Sequence, residues 1–170
     1  CSHRGAALPY RLREIVMHVA TILADKASEL LCIEPTASCL EAAASMVKQD
    51  VGALLVLDAE AERGVGGLIT ERALVRRLAK GSTAEAPVSE AMERRLIWVR
   101  RDEDTARCMA LMTTQRRRYL LVEGDDGTPA GLISIGDVVK AQLADQQFII
   151  DQLGSYMGDM PTPDQGNPTV

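Results

Sequence analysis

The chain carries its own sequence twice. At a shift of 66 residues, Leu31-Cys32-Ile33 falls on Ile97-Trp98-Val99, Met46 on Met112, Gln49 on Gln115, and Leu54-Leu55-Val56 on Leu120-Leu121-Val122. After a two-residue gap, Gly67-Leu68-Ile69-Thr70 lies over Gly131-Leu132-Ile133-Ser134, and Ala73-Leu74-Val75 over Asp137-Val138-Val139. Two similar copies must build the same supersecondary unit twice. Each copy reads strand, helix, strand, strand, helix (β-α-β-β-α), so the expected class is α/β, of the α+β kind. A unit of about 60 residues buries too little surface to stand alone. The two units therefore pack on each other with approximate two-fold symmetry, and clefts open at the seam.

Periodicity supports the elements. Leu40, Ala43, Met46 and Val47 recur at helical spacing, as do Cys108, Leu111 and Met112. The continuous apolar runs Leu54–Leu57 and Tyr119–Val122 suit strands covered on both faces. Thr70 and Ser134 stand where an N-cap hydroxyl opens the following helix. Residues 1–16 read as a tag or N-terminal extension, 17–83 as the first repeat, 84–155 as the second with a long C-terminal helix, and 156–170 as a flexible tail. That last helix runs past Val139, Leu143, Phe148, Ile149 and Ile150 and outlasts one small unit. Its apolar face is expected to meet a second copy, the segment Ile15–Leu23 of the same chain, or both.

Composition excludes several functions. With 19 Lys+Arg against 24 Asp+Glu and only 3% aromatic residues, the chain lacks the charge and stacking surface of a nucleic-acid binder. Two histidines, and four cysteines without a C-x-x-C, argue against a metal site. Cys32, Cys39 and Cys108 lie in apolar segments and read as buried thiols. No apolar run approaches a membrane span and no secretory pattern opens the chain, so a cytoplasmic location is the expectation. No nucleophile with a base, P-loop or completed dinucleotide fingerprint occurs, so no catalytic residue is assigned and a non-enzyme is expected. Gly64-Val65-Gly66-Gly67 reads as a turn between strands.

One motif carries chemistry. In Gly131-Leu132-Ile133-Ser134-Ile135-Gly136-Asp137, an apolar strand ends in a hydroxyl, and a carboxylate follows in the first helical turn. Ser-x-x-Asp closes a capping box. The same carboxylate can instead accept both hydroxyls of a ribose, with the helix amides suited to phosphate. The residues alone leave both readings open.

The duplicated order, together with Ile22-Leu23-Ala24-Asp25-Lys26, Gly67-Leu68-Ile69-Thr70-Glu71-Arg72 and Ile133-Ser134-Ile135-Gly136-Asp137-Val138-Val139-Lys140, resembles the cystathionine-β-synthase (CBS) domain pair, or Bateman module. Within it, the chain is similar to the small stand-alone bacterial CBS-pair proteins over about residues 17–155. The resemblance implies a non-catalytic regulatory module that binds an adenosine-containing ligand between the repeats. AMP is the first candidate, with ADP, ATP or NAD(H) as the wider class, and the signal is energy or redox state. It implies ribose on Asp137, with Ser134 and Ile133 beside it, and adenine against Lys26, Ala27, Ser28, Val51, Gly52 and Ala53. It implies phosphate near Arg118 and Tyr119, the latter standing where the family often has histidine. Arg118 reads equally as a solvated helix-end cation. The first repeat has Ala73 at the carboxylate position, so its cleft should be weak or altered, with Thr70, Arg72 and Arg76 left to receive a phosphate. A homodimer and an unidentified downstream protein are the implied partners. The alternative is a ligand-independent structural or adaptor homodimer.

Overall fold

A computed structural model of the chain describes residues 17–26 and 30–158, and the side chains of Glu62 and of 152–158 stand outside that description. The expected extension, the end of the expected tail, and the candidate residues Ala27 and Ser28 fall outside the described residues. Helix α1 (Val19–Asp25) leads into β1 (Cys32–Ile33), α2 (Cys39–Gln49), β2 (Ala53–Leu57), β3 (Val65–Thr70) and α3 (Glu71–Ala79). The pattern returns as β4 (Trp98–Val99), α4 (Thr105–Thr114), β5 (Tyr119–Glu123), β6 (Pro129–Ser134) and α5 (Ile135–Gly158).

The repeat extends to the level of register. Two three-stranded sheets are ordered β1-β2-β3 and β4-β5-β6, each with a parallel pair followed by an antiparallel one. Leu55 faces Leu68 as Leu121 faces Leu132, and each hairpin shifts register at the matching place, Val56/Leu57 and Val122/Glu123. Asp50, the cap of α2, and Arg116, one residue past the cap of α4, are 66 residues apart and both take positive φ, 52° and 53°.

Strand alternation distributes the apolar runs between two surfaces. Leu54 and Val56 enter the core of the first unit, among Cys39, Ala42, Met46, Ile69 and Leu74. Ala53 and Leu55 turn the other way, into a seam shared with Leu68, Leu121 and Trp98. Likewise Leu120 and Val122 face the second unit's core while Leu121 faces the seam. That double covering is why the buried runs Leu54–Val56 and Leu120–Val122 are apolar at every position. Trp98 packs in the seam, with the Arg63 guanidinium 4.8 Å above its ring.

Two elements pack across the sequence division at 83/84. Val19, Ile22 and Leu23 of α1 are buried with Val99, Cys108, Met112, Val138 and Ala141, in the second unit. Val88 and Met92, on a short 3-10 turn (Val88–Glu90) and just beyond it, are buried in the first unit. Ile22 and Val88 are themselves 66 residues apart, so the units exchange equivalent arms. Backbone hydrogen bonds fix both arms, Val19 N–H to Glu103 O at 3.0 Å and Cys39 N–H to Ala86 O at 2.9 Å.

Two expectations are corrected. Helix α2 buries Cys39, Ala42 and Met46, whereas Leu40 and Val47 are 52% and 83% exposed. Ala42-Ala43-Ala44 widens the apolar face, so periodicity left its rotation loose and close approach to the sheet decided it. Cys32 is exposed, because β1 is two residues long at a sheet edge; Cys39 and Cys108 are buried.

Candidate functional site

The start of α5 forms one wall of a cleft of about 320 Å³ at the seam. Ser134 caps the helix: its hydroxyl accepts from Asp137 N–H at 3.2 Å, and its own N–H and O–H donate to Asp137 Oδ2 at 2.7 and 2.8 Å. Lys26, delivered by the exchanged arm, donates to the same Oδ2 at 2.8 Å and to Leu132 O at 3.2 Å. Burial pushes the Asp137 carboxyl up, but the hydrogen bonds from Lys26 and Ser134 prevail and hold it below the ordinary carboxylate range. Among the described residues Asp137 Oδ1 has no hydrogen-bond partner.

Across the cleft lies the turn that joins α2 to β2. Val51, Gly52 and Ala53 line it with Tyr119, Ser134, Asp137 and Lys26, so the structure brings seven of the expected residues around one space. Leu30, Leu31, Asp50 and Leu132 also line it and were not anticipated. Gly52 allows a close approach, since a Cβ there would lie 2.6 Å from Tyr119 Oη and 3.2 Å from Glu71 Oε2. Burial raises the Tyr119 phenol, Arg118 opposes this, and Glu71 and Asp137 add to it, so a neutral hydroxyl stands at the cleft wall.

Two expected members are absent from this cleft. Ile133 is fully buried in the second unit's core, because on β6 its neighbours Leu132 and Ser134 take the opposite face. Arg118 accepts Ile135 N–H on its carbonyl at 2.9 Å, beside the start of α5, yet its side chain lines a different cleft. That second cleft measures about 330 Å³ and is the first one's counterpart under the repeat. Thr70 caps α3 there, accepting from Ala73 N–H at 3.2 Å, and Ala73 occupies the place of Asp137. Arg72 and Arg76 line it as expected. Each cleft combines the helix start of one unit with the pre-strand turn of the other. Asp50–Ala53 therefore faces Asp137, and Arg116–Tyr119 faces Ala73. Applying the 66-residue shift to the arginine run would have found this from the sequence. Arg117, which falls on the apolar Val51 under the same shift, forms an ion pair with Glu93, and Arg77 forms one with Glu90.

A family model described as the CBS domain matches residues 21–80 and 88–144, one match for each unit. The chain belongs to the CBS domain family. The CBS pair is 35% identical over 121 residues to the mitochondrial CBS domain-containing protein CBSX3 of Arabidopsis thaliana, a stretch covering 69% of this chain and 58% of the plant protein. A CBS-domain-containing protein from Agrobacterium tumefaciens superposes with a TM-score of 0.67 at 36% identity, covering 74% of this chain and 98% of that one. At 18% identity, a CBS domain protein from Pyrobaculum aerophilum complexed with AMP shares the fold, with a TM-score of 0.63 over 71% of this chain and 89% of its own. Among the described residues, no helix of the CBS pair is long and apolar enough to cross a membrane.

Proposed function

We propose that this CBS pair is a non-catalytic regulatory module that takes an adenosine-containing ligand, AMP foremost and ATP or NAD(H) as alternatives, in the Asp137 cleft. The observation carrying this reading is that Asp137, ionised and fixed by Ser134 and Lys26, keeps Oδ1 directed at no protein donor among the described residues. A vicinal diol needs such an acceptor. The cleft volume is at the lower end of small-molecule pockets, about 300–1,000 Å³, which suits a single nucleoside. The AMP held by the Pyrobaculum relative supports the ligand class.

A ligand touching both units shifts their relative arrangement by its differential affinity for two states. A downstream protein reads that shift. A homodimer supplies the lever, and the exposed Val139, Leu143 and Ile150 of α5 offer its surface. The cytoplasm is the proposed compartment.

The competing reading is a ligand-independent adaptor dimer, favoured by Oδ2 already holding three hydrogen bonds, two from Ser134 in the helix cap and one from Lys26. Thermal shift with AMP, ATP and NADH separates the two, since a ligand that binds the folded form raises Tm. At least one should raise the Tm of the wild type and leave that of Asp137→Asn unmoved. No shift with any of them, or an equal shift in the variant, leaves the adaptor.

A further inference from the structure

Asp137 comes with a partner that the repeat does not preserve. Under the 66-residue shift its bonded cation, Lys26, falls on Met92. The two positions are equivalent in space as well, since each closes its exchanged arm with the same bond, Lys26 N–H to Ile22 O at 3.1 Å and Met92 N–H to Val88 O at 2.7 Å. Met92 lines the second cleft with Ala73, as Lys26 lines the first with Asp137. The ammonium and its carboxylate are thus present together in one cleft and replaced together, by Met92 and Ala73, in the other.

Their bond sits where a ribose has to enter. A carboxylate oxygen offers about two lone-pair sites. Asp137 Oδ2 already accepts Ser134 N–H, Ser134 O–H and Lys26 Nζ, at 2.7, 2.8 and 2.8 Å, whereas Oδ1 has no donor among the described residues. One hydroxyl can be taken on Oδ1 with nothing moved. The second hydroxyl of a vicinal diol needs Oδ2, so a donor there has to leave. Both Ser134 donors are fixed within one turn by the helix cap. Lys26 ends a flexible four-carbon stem, its side chain is 41% exposed, and Leu132 O at 3.2 Å remains to it as an acceptor. Lys26 is the donor that can yield.

We infer that Lys26 is a displaceable pin on Asp137, a specificity-determining residue that a vicinal diol must push aside and a single hydroxyl need not; the inference rests on the nucleoside reading of this cleft. A ligand with two adjacent hydroxyls therefore converts its binding into a movement of Lys26, and a ligand with one does not. The Lys26 bond also joins the end of α1 to the start of α5. Its release is felt by the exchanged arm, whose Val19, Ile22 and Leu23 are buried in the second unit's core.

Isothermal titration of the full chain with adenosine and 2′-deoxyadenosine, both uncharged, tests it in the wild type, in Lys26→Met, which copies the Met92 position, and in Lys26→Gln, which keeps the wall polar. Adenosine should bind both variants about fivefold more tightly than the wild type, the upper end for a half-exposed ion pair that no longer has to be broken. 2′-Deoxyadenosine, left with one ring hydroxyl for Oδ1, should bind all three proteins within about twofold of one another. Adenosine bound by the variants and undetected with the wild type is the same result at larger amplitude. Equal adenosine binding by all three proteins, weaker binding by the variants, or an equal gain for both nucleosides overturns the pin and leaves the nucleoside reading standing. Binding of neither nucleoside to any of the three at millimolar concentration overturns both.

Discussion

Replacing Gly52 with alanine would put a methyl carbon 2.6 Å from Tyr119 Oη and 3.2 Å from Glu71 Oε2, where ordinary contact begins at 3.4 Å. The Glu71 carboxylate ends a flexible, exposed side chain and can withdraw. The Tyr119 ring cannot easily do so, because it packs against the seam beside Leu55 and Leu121. Clearing the methyl means moving the phenol by the difference, about 0.8 Å, into neighbours already at contact. Overpacking of this kind costs about 1–3 kcal/mol, and the lower half of that range fits a partly exposed ring. For a domain of this size, about 1–2 kcal/mol corresponds to a Tm loss of roughly 3–6 °C.

The double mutant isolates the cause. Tyr119→Phe removes the clashing oxygen, and among the described residues that hydroxyl has no hydrogen-bond partner, so alone it should change stability by less than about 0.5 kcal/mol. In the Tyr119→Phe background, Gly52→Ala should cost about 1 kcal/mol less than in the wild type. Urea denaturation of the four proteins measures the cycle. An equal cost in both backgrounds, or none in either, would refute the steric account of the wall between the clefts.

Ile22→Ala, on the exchanged arm, should cost about 2–4 kcal/mol in chemical denaturation, because Ile22 is buried in the second unit's core; a cost under about 0.5 kcal/mol would detach α1 from it. Among the cysteines of the described residues, iodoacetamide should alkylate Cys32 first and leave Cys39 and Cys108 protected, since both are buried and burial, aided by Glu103 and Asp104, pushes the Cys108 thiol up to about 11. Mass spectrometry that finds Cys108 modified ahead of Cys32 contradicts the core assignment. The depressed Asp137 carboxyl gives a signed pH effect. Its stabilising contribution is complete above the unfolded value of about 3.9 and is lost as pH falls through the lower folded value. Asp137→Asn should flatten the acid limb of the stability curve, and an unchanged limb would place the acid sensitivity elsewhere.

Much of the fold was legible because its signals are local or self-repeating. The 66-residue repeat carried the strand-helix-strand-strand-helix order, and Ser134 and Thr70 announced their caps through hydrogen bonds made within one turn. The rotation of α2 was not legible, since three alanines offer packing on several faces. The exposure of Cys32 depended on how few residues of β1 pair at the sheet edge. Ile133 was misplaced for a related reason: the motif names the residues but not the face each takes until the strand pairs.

The sequence by itself determined the duplication, the element order, the double-covered strands and the chemistry of the Ser134–Asp137 cap, because each is written in neighbouring residues or in their repetition. Only the tertiary structure decided which turn faces which helix start. The units pack across a pseudo-two-fold seam, so each pre-strand turn lines a cleft whose helix start belongs to the other unit. Arg118 thus joins Ala73 in a cationic cleft, and Asp137 meets Asp50–Ala53 and Lys26. Exchange of α1 and the Val88–Glu90 turn follows from the same geometry, since an arm that crosses the seam buries its apolar face in a core its own unit cannot complete.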